Sequence, residues 1–214
     1  MIKAQRIYLY VLIWIGSNSI VGCHAQEQSR IEKDSTLHIL FVGNSLTYTN
    51  NLPELVSKEA RTQRINLITE MLAFPNYALE DHWQDRELQR RIMNGKFDFV
   101  IVQQGPSSQS DGREMLLDFG ARIKNLCDQH DSKLVFFMVW PARTNWNTFP
   151  GVIRNYTEAA MATKSILCPV GSEWKQYIES TADYSYYGPD QFHPSLKGSQ
   201  NAAAMIFKVL LENP

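Results

Sequence analysis

The sequence predicts an α/β fold in three layers: a doubly wound, five-stranded parallel sheet with helices on both faces. Three observations carry this. Five short apolar runs alternate along the chain with stretches of helical periodicity. The runs show little polar alternation, as expected of strands covered on both faces rather than one. The length of 214 residues, 44% of them hydrophobic, suits one such domain.

The elements follow in order. Leu37-His38-Ile39-Leu40-Phe41-Val42 is a short apolar run ending at Gly43, read as a buried strand that feeds a loop. Residues 50–61 place Leu52, Leu55, Val56 and Ala60 at helical spacing, with Pro53 early, where a helix tolerates it. Residues 65–73 read as the second strand, 79–93 as a helix and 97–102 as the third strand. Met115, Leu116, Phe119, Ile123 and Leu126 give residues 113–129 an apolar side and predict a long amphipathic helix. A strand over 133–140, a helix over 152–163, a strand over 165–170 and a closing helix over 202–211 complete the pattern. No internal repeat or composition break interrupts residues 37–214, so they read as a single domain.

The first 25 residues read differently. Lys3 and Arg6 precede the apolar run from Ile7 to Ile15, and a small polar stretch follows. This is the pattern of an export signal, and the run is too short to span a bilayer, which needs about 20 apolar residues. Ile20-Val21-Gly22-Cys23 resembles a bacterial lipobox, which would make Cys23 a lipid anchor; cleavage before Gln26 is the other readable exit. The expectation is an exported bacterial protein, periplasmic or membrane-anchored, with residues 26–36 as a tether.

Composition excludes several classes. A net charge of -1, from 21 Lys+Arg against 22 Asp+Glu, offers no handle for nucleic acid. Three cysteines are too few for a disulfide scaffold or a four-cysteine zinc site. Cys127 and Cys168 are expected as separate buried thiols. No metal motif is present in the sequence, and no cofactor is implied.

In doubly wound, flavodoxin-like sheets the site lies outside the carboxyl ends of the strands. The loops there are Gly43-Asn44-Ser45-Leu46-Thr47, Phe74-Pro75-Asn76-Tyr77 and Gln103-Gln104-Gly105-Pro106-Ser107-Ser108. Gly188-Pro189-Asp190-Gln191-Phe192-His193-Pro194 precedes the last helix. Acyl transfer requires a nucleophile, a base, a group that orients the base, and donors to the developing oxyanion. All four are available on one rim.

Gly43-Asn44-Ser45-Leu46 and Asp190-Gln191-Phe192-His193-Pro194, in this order and at these places, resemble the first and last blocks of the SGNH (GDSL-like) hydrolases, with Asn44 in place of the name-giving Asp. The resemblance runs from about Leu37 to Leu211. It implies Ser45 as nucleophile, His193 as base and Asp190 as the acid that orients it. It also implies an oxyanion hole made by the N–H groups of Ser45 and Asn76. The middle blocks depart from the pattern: Asn76 stands where a glycine is usual, and Gly105-Pro106-Ser107-Ser108 replaces Gly-x-Asn-Asp. Gln104-Gly105-x-Ser107 is instead similar to the Gln-Gly-Glu-Ser loop of sialate O-acetylesterase-like members. That makes Gln104 the expected amide donor to the oxyanion and Ser107 its reserve.

Each assignment has a plainer competitor. Ser45 alone reads as a helix N-cap, and His82 as a structural histidine near the rim. Trp140 and Tyr187 are candidates for a sugar-stacking platform and Arg143 for contact with a substrate carboxylate, although aromatics commonly fill cores and arginines commonly face solvent. A flavodoxin-like module that cradles phosphate on residues 43–47 leaves Asp190 and His193 unexplained. The expectation is therefore an exported serine esterase that removes acyl, chiefly acetyl, groups from a small-molecule or glycan ester. A lipid esterase or thioesterase, or a decayed glycan-binding domain, is the alternative.

Overall fold

The computed structural model describes residues 36–214. The export signal, Cys23 and the tether up to residue 35 lie outside the described residues. Thr36, expected to end the tether, already opens the first strand.

Five strands form one sheet: β1 (Thr36–Gly43), β2 (Asn66–Ala73), β3 (Phe99–Val102), β4 (Lys133–Phe137) and β5 (Ile166–Cys168). Their order is β2-β1-β3-β4-β5, and every neighbouring pair is parallel. Ile39, Leu40, Phe41 and Val42 of β1 are fully buried, as are most residues of β3 and β4. Such strands lie between two helical layers, which is why the sequence shows them as continuous apolar runs.

The helices are α1 (Ser45–Tyr48), α2 (Leu52–Thr62), α3 (Leu79–Gln84), α4 (Glu87–Asn94), α5 (Ser110–Gln129), α6 (Phe149–Thr163), α7 (Val170–Thr181) and α8 (Leu196–Glu212). α2 packs on α8, while α3 and α4 pack on α5, and α5 on α6. The chain leaves β1 for β2 on one side and returns to β3 on the other. This reversal opens a crevice at the carboxyl ends of β1 and β3, the switch point where such sheets bind ligands.

Three expectations change. The helix expected over 79–93 is two helices, because Arg86 adopts the left-handed conformation (φ 62°) and breaks it. The strand expected over 133–140 leaves the ladder after Phe137, although Met138, Val139 and Trp140 stay fully buried. β5 is shorter than residues 165–170, because Val170 opens α7, a helix whose Val170, Trp174 and Ile178 face the core.

Cys127 on α5 and Cys168 on β5 are free and fully buried. Burial, with Asp128 beside it, pushes the Cys127 thiol up to about 12, and burial alone raises Cys168 further. Neither forms a reactive thiolate at neutral pH. A thiol-directed reagent should therefore label both positions only as the protein unfolds in denaturant; rapid labelling of either in native buffer contradicts the packing described.

Candidate active site

The first loop is built around Asn44. Gly43 ends β1 with no room for a side chain, since a Cβ there would sit 2.4 Å from Thr47 Oγ1 and 2.5 Å from Gln103 Oε1. Asn44 follows, 8% exposed, and its Oδ1 accepts the Leu46 N–H at 3.2 Å as the N-cap of α1. The Asn44 N–H donates to Gln103 Oε1 (2.9 Å), and Nδ2 donates to the Tyr77 carbonyl (3.0 Å). Thr47 Oγ1 donates to the same Gln103 oxygen at 2.9 Å. Ser45 is thus the first residue of α1, where a backbone N–H has no acceptor within the helix.

The second loop turns at Phe74–Tyr77, closed by the Tyr77 N–H on the Phe74 carbonyl (3.3 Å). Pro75 and then Asn76 at φ 63° give the sequence and sign that a type II turn requires at its two central positions. Asn visits the left-handed region more readily than other non-glycine residues, which explains its place where glycine is expected. His82, 1% exposed, holds Gly43 from behind: its Nε2 lies 2.8 Å from the Gly43 carbonyl, which can only accept. Burial holds this imidazole below its ordinary pKa, so it stays neutral and structural.

The third loop overturns one expectation. Gln104 does not offer a free amide to the cleft. Its Nε2 donates to Ser107 Oγ (2.7 Å) and to the Gly112 carbonyl (3.1 Å), and its Oε1 accepts the Leu79 N–H at 3.3 Å. Both amide protons are thus engaged on a side chain that is 4% exposed. Ser107 Oγ donates in turn to the Gly105 carbonyl at 3.0 Å. α6 supports this loop from below: Asn155 Nδ2 donates to the Ser107 carbonyl (2.8 Å), and the Tyr156 hydroxyl accepts the Gln104 N–H (3.1 Å) and donates to the Gln104 carbonyl.

The fourth loop carries the acid and the imidazole. Asp190 Oδ1 accepts the N–H groups of Phe192 (3.0 Å) and His193 (2.9 Å), while Oδ2 lies 2.5 Å from His193 Nδ1. The His193 hydrogen bond, seconded by the two backbone bonds, holds the Asp190 carboxyl below its ordinary pKa. With Nδ1 held in this way, Nε2 is the ring nitrogen left without a hydrogen-bond partner among the described residues. Asn50, next to α1 in the chain, ties this loop to the first: its Nδ2 donates to the Pro194 carbonyl (3.1 Å) and to Ser199 Oγ (3.0 Å).

The aromatic candidates serve this loop rather than a ligand. Trp140 is fully buried, stacked on Trp174 at 3.5 Å, and its Nε1 donates to the Phe192 carbonyl at 3.0 Å. Tyr187 is buried, with its hydroxyl on the Pro141 carbonyl (2.9 Å). Neither presents a face to a sugar. Arg143 lies over the Tyr184 ring at 4.0 Å and donates through Nη1 to Gln191 Oε1 (2.8 Å), so it braces the turn in which Gln191 takes φ 63°.

Ser45, Asn76, Tyr77, Gln104, Ser107 and Phe192 line one open cleft of about 420 Å³; His193 is the residue after Phe192 in the chain and is not itself part of the lining. The loops thus place a serine hydroxyl and the Asn76 turn on one cleft, and an imidazole oriented by Asp190 in the loop that supplies Phe192 to it. Among the described residues no group of three or more His, Cys, Asp or Glu is placed to hold a metal ion. Sequence reasoning passed over Gln103, Asn50, Asn155 and Tyr156. Their partners in the site loops and in α8 lie from 46 to 149 residues away, so no local signal marks them.

No protein-family model matches the sequence, and no curated protein does. Solved structures do. A candidate SGNH hydrolase from Slackia heliotrinireducens matches at 19% identity with a TM-score of 0.70, over 82% of this chain and 99% of the other. A lipase/acylhydrolase from Enterococcus faecalis matches at 15% identity and TM-score 0.64, over 80% and 94%. A catalytic mutant of an acetylxylan esterase from Geobacillus stearothermophilus matches at 15% and 0.61, over 85% and 96%. The chain has the fold that these hydrolase structures share.

The Asn44 amide has a direct test. Asn44→Asp keeps the size and the capping oxygen but sets a carboxylate against the Tyr77 carbonyl. It should lose about 1–3 kcal/mol of stability in denaturant titrations at pH 7. The deficit should shrink as the pH falls, because a protonated carboxyl donates again. Equal stability of the two proteins at pH 7 contradicts the role given to Nδ2.

Proposed function

We propose that the protein is a serine esterase that hydrolyses acyl, chiefly acetyl, esters of carbohydrates. The observation that carries this reading is the 2.5 Å contact between His193 Nδ1 and Asp190 Oδ2 beside the cleft that Ser45 lines. Ser45 Oγ attacks the ester carbonyl carbon as His193 Nε2 takes its proton. The negative charge that develops on the carbonyl oxygen is met by the N–H groups of Ser45 and Asn76. Asp190 fixes the imidazole tautomer and stabilises the imidazolium.

The tetrahedral adduct collapses, the C–O bond to the alcohol breaks, and His193 returns the proton to the leaving oxygen. Water, deprotonated by His193, then attacks the acyl-Ser45 ester and releases the carboxylic acid, and the proton passes back to Ser45. The depressed pKa of Asp190 keeps the orienting carboxylate ionised throughout neutral pH. The acetyl and carbohydrate preferences are supported by the modest open cleft and by structural similarity to an acetylxylan esterase.

Acetyl, butyryl and longer p-nitrophenyl esters, with acetylated oligosaccharides beside them, test the reading. Acetyl substrates should be preferred, and Ser45→Ala should lower kcat by about 10⁴-fold or more without changing the melting curve. Activity that survives Ser45→Ala contradicts the mechanism. A preference for long acyl chains selects a lipid esterase, and binding of glycans without turnover selects a non-catalytic domain.

A further inference from the structure

We propose that the hydroxyl of Ser107 is the third donor to the oxyanion, and that Gln104 is the positioning residue that aims it. This deepens the esterase reading and rests on it. Ser107 lines the same cleft as Ser45 and Asn76 and is 8% exposed. A serine hydroxyl has one proton to give and two lone pairs to receive. Here one lone pair takes Gln104 Nε2–H at 2.7 Å, while the proton goes to the Gly105 carbonyl two residues back, at 3.0 Å. That second bond is a local side-chain-to-backbone contact, readily exchanged for a better acceptor. Rotation about Cβ–Oγ turns the proton towards an oxyanion without moving a heavy atom. Gly105 is only half-buried, so water can take over its carbonyl.

Gln104 cannot do this itself. Its amide is held at Leu79 N, Ser107 Oγ and Gly112 O, and its backbone N–H and carbonyl are both held by the buried Tyr156 hydroxyl. What the amide does is donate into the Ser107 oxygen, which polarises the hydroxyl and strengthens it as a donor. Ser107 is fixed from two further sides. Asn155 Nδ2 holds its carbonyl at 2.8 Å, and α5 passes so close that a Cβ on Gly112 would stand 2.7 Å from Ser107 Cβ. The heavy atoms of the donor are thus set before the substrate arrives, and only its proton moves, as electrostatic preorganisation requires.

The full-length protein and a small acetyl ester provide the test. Ser107→Ala should lower kcat about 10²-fold with KM little changed, the pattern of a contact made only in the transition state. Ser107→Cys keeps the size, offers a weaker donor and should lose at least about tenfold, so the result survives if the alanine variant folds poorly. Gln104→Glu should also lose at least tenfold, because its carboxylate accepts the Ser107 proton that the oxyanion needs.

Gln104→Met should be costly in the native background yet cost less than about threefold when added to Ser107→Ala, since it acts through the hydroxyl. Three results overturn the proposal: a Ser107→Ala rate within about threefold of native, a Gln104→Met penalty that persists undiminished in Ser107→Ala, or a larger loss from Ser108→Ala than from Ser107→Ala. Ser45→Ala, measured alongside, separates the two levels. Loss of activity there with none in Ser107→Ala removes this inference alone, whereas activity in Ser45→Ala removes the esterase reading beneath it.

Discussion

Asn44 joins three parts of the molecule that have no covalent reason to stay together. Its backbone N–H reaches the end of β3 at Gln103, its Nδ2 reaches the loop after β2 at Tyr77, and its Oδ1 starts α1. Only an amide of this length does all of this: aspartate lacks the donor, and glutamine cannot cap the helix that follows it as readily. Because the side chain is buried, these bonds act in a low dielectric, where each is stronger and its loss more costly. The placing of Ser45 and Asn76 on the same cleft depends on this knot.

The fourth loop is secured by a different kind of force. An indole stack of Trp140 on Trp174 forms a rigid apolar floor, and the one polar atom of Trp140 meets the Phe192 carbonyl. Aromatic pairs of this kind contribute beyond their buried area, and their polar handle gives direction to an otherwise greasy contact. Asn50 then closes the gap between the serine loop and the histidine loop by bonding to Pro194 and Ser199. The parallel sheet supplies the frame, with every strand delivering its carboxyl end to the same edge.

The frame was legible in the sequence because its cause is local. Strands covered on both faces must be apolar throughout, and Ile39 to Val42, Phe99 to Val102 and Leu134 to Phe137 announce that in one line. The fourth loop was legible for the same reason, since the Asp190 side chain bonds to its neighbours' N–H groups and to His193 three residues on; of the Asn44 bonds only the cap on Leu46 is local. What failed to show was hydrogen-bond commitment. Gln104 reads as a free amide until Leu79 and Gly112 are brought beside it, and the choice between core and platform for Trp140 and Tyr187 waits on Trp174 and Pro141, which place both rings in the core. α7 was hidden differently. Its apolar residues, Val170, Trp174 and Ile178, are spaced as a helix requires, but Val170 also completes a plausible strand from residue 165.

The central claim, that Ser45, the second loop and the Asp190–His193 pair meet on one reacting carbon, is tested most directly by a crystal structure of the protein treated with a small alkyl phosphonate ester. Phosphorus should be bonded to Ser45 Oγ, with one phosphoryl oxygen about 3 Å from the N–H groups of both Ser45 and Asn76 and His193 Nε2 turned towards the adduct. Phosphonylation at another serine, or an adduct on Ser45 whose phosphoryl oxygen points away from Asn76, would contradict it.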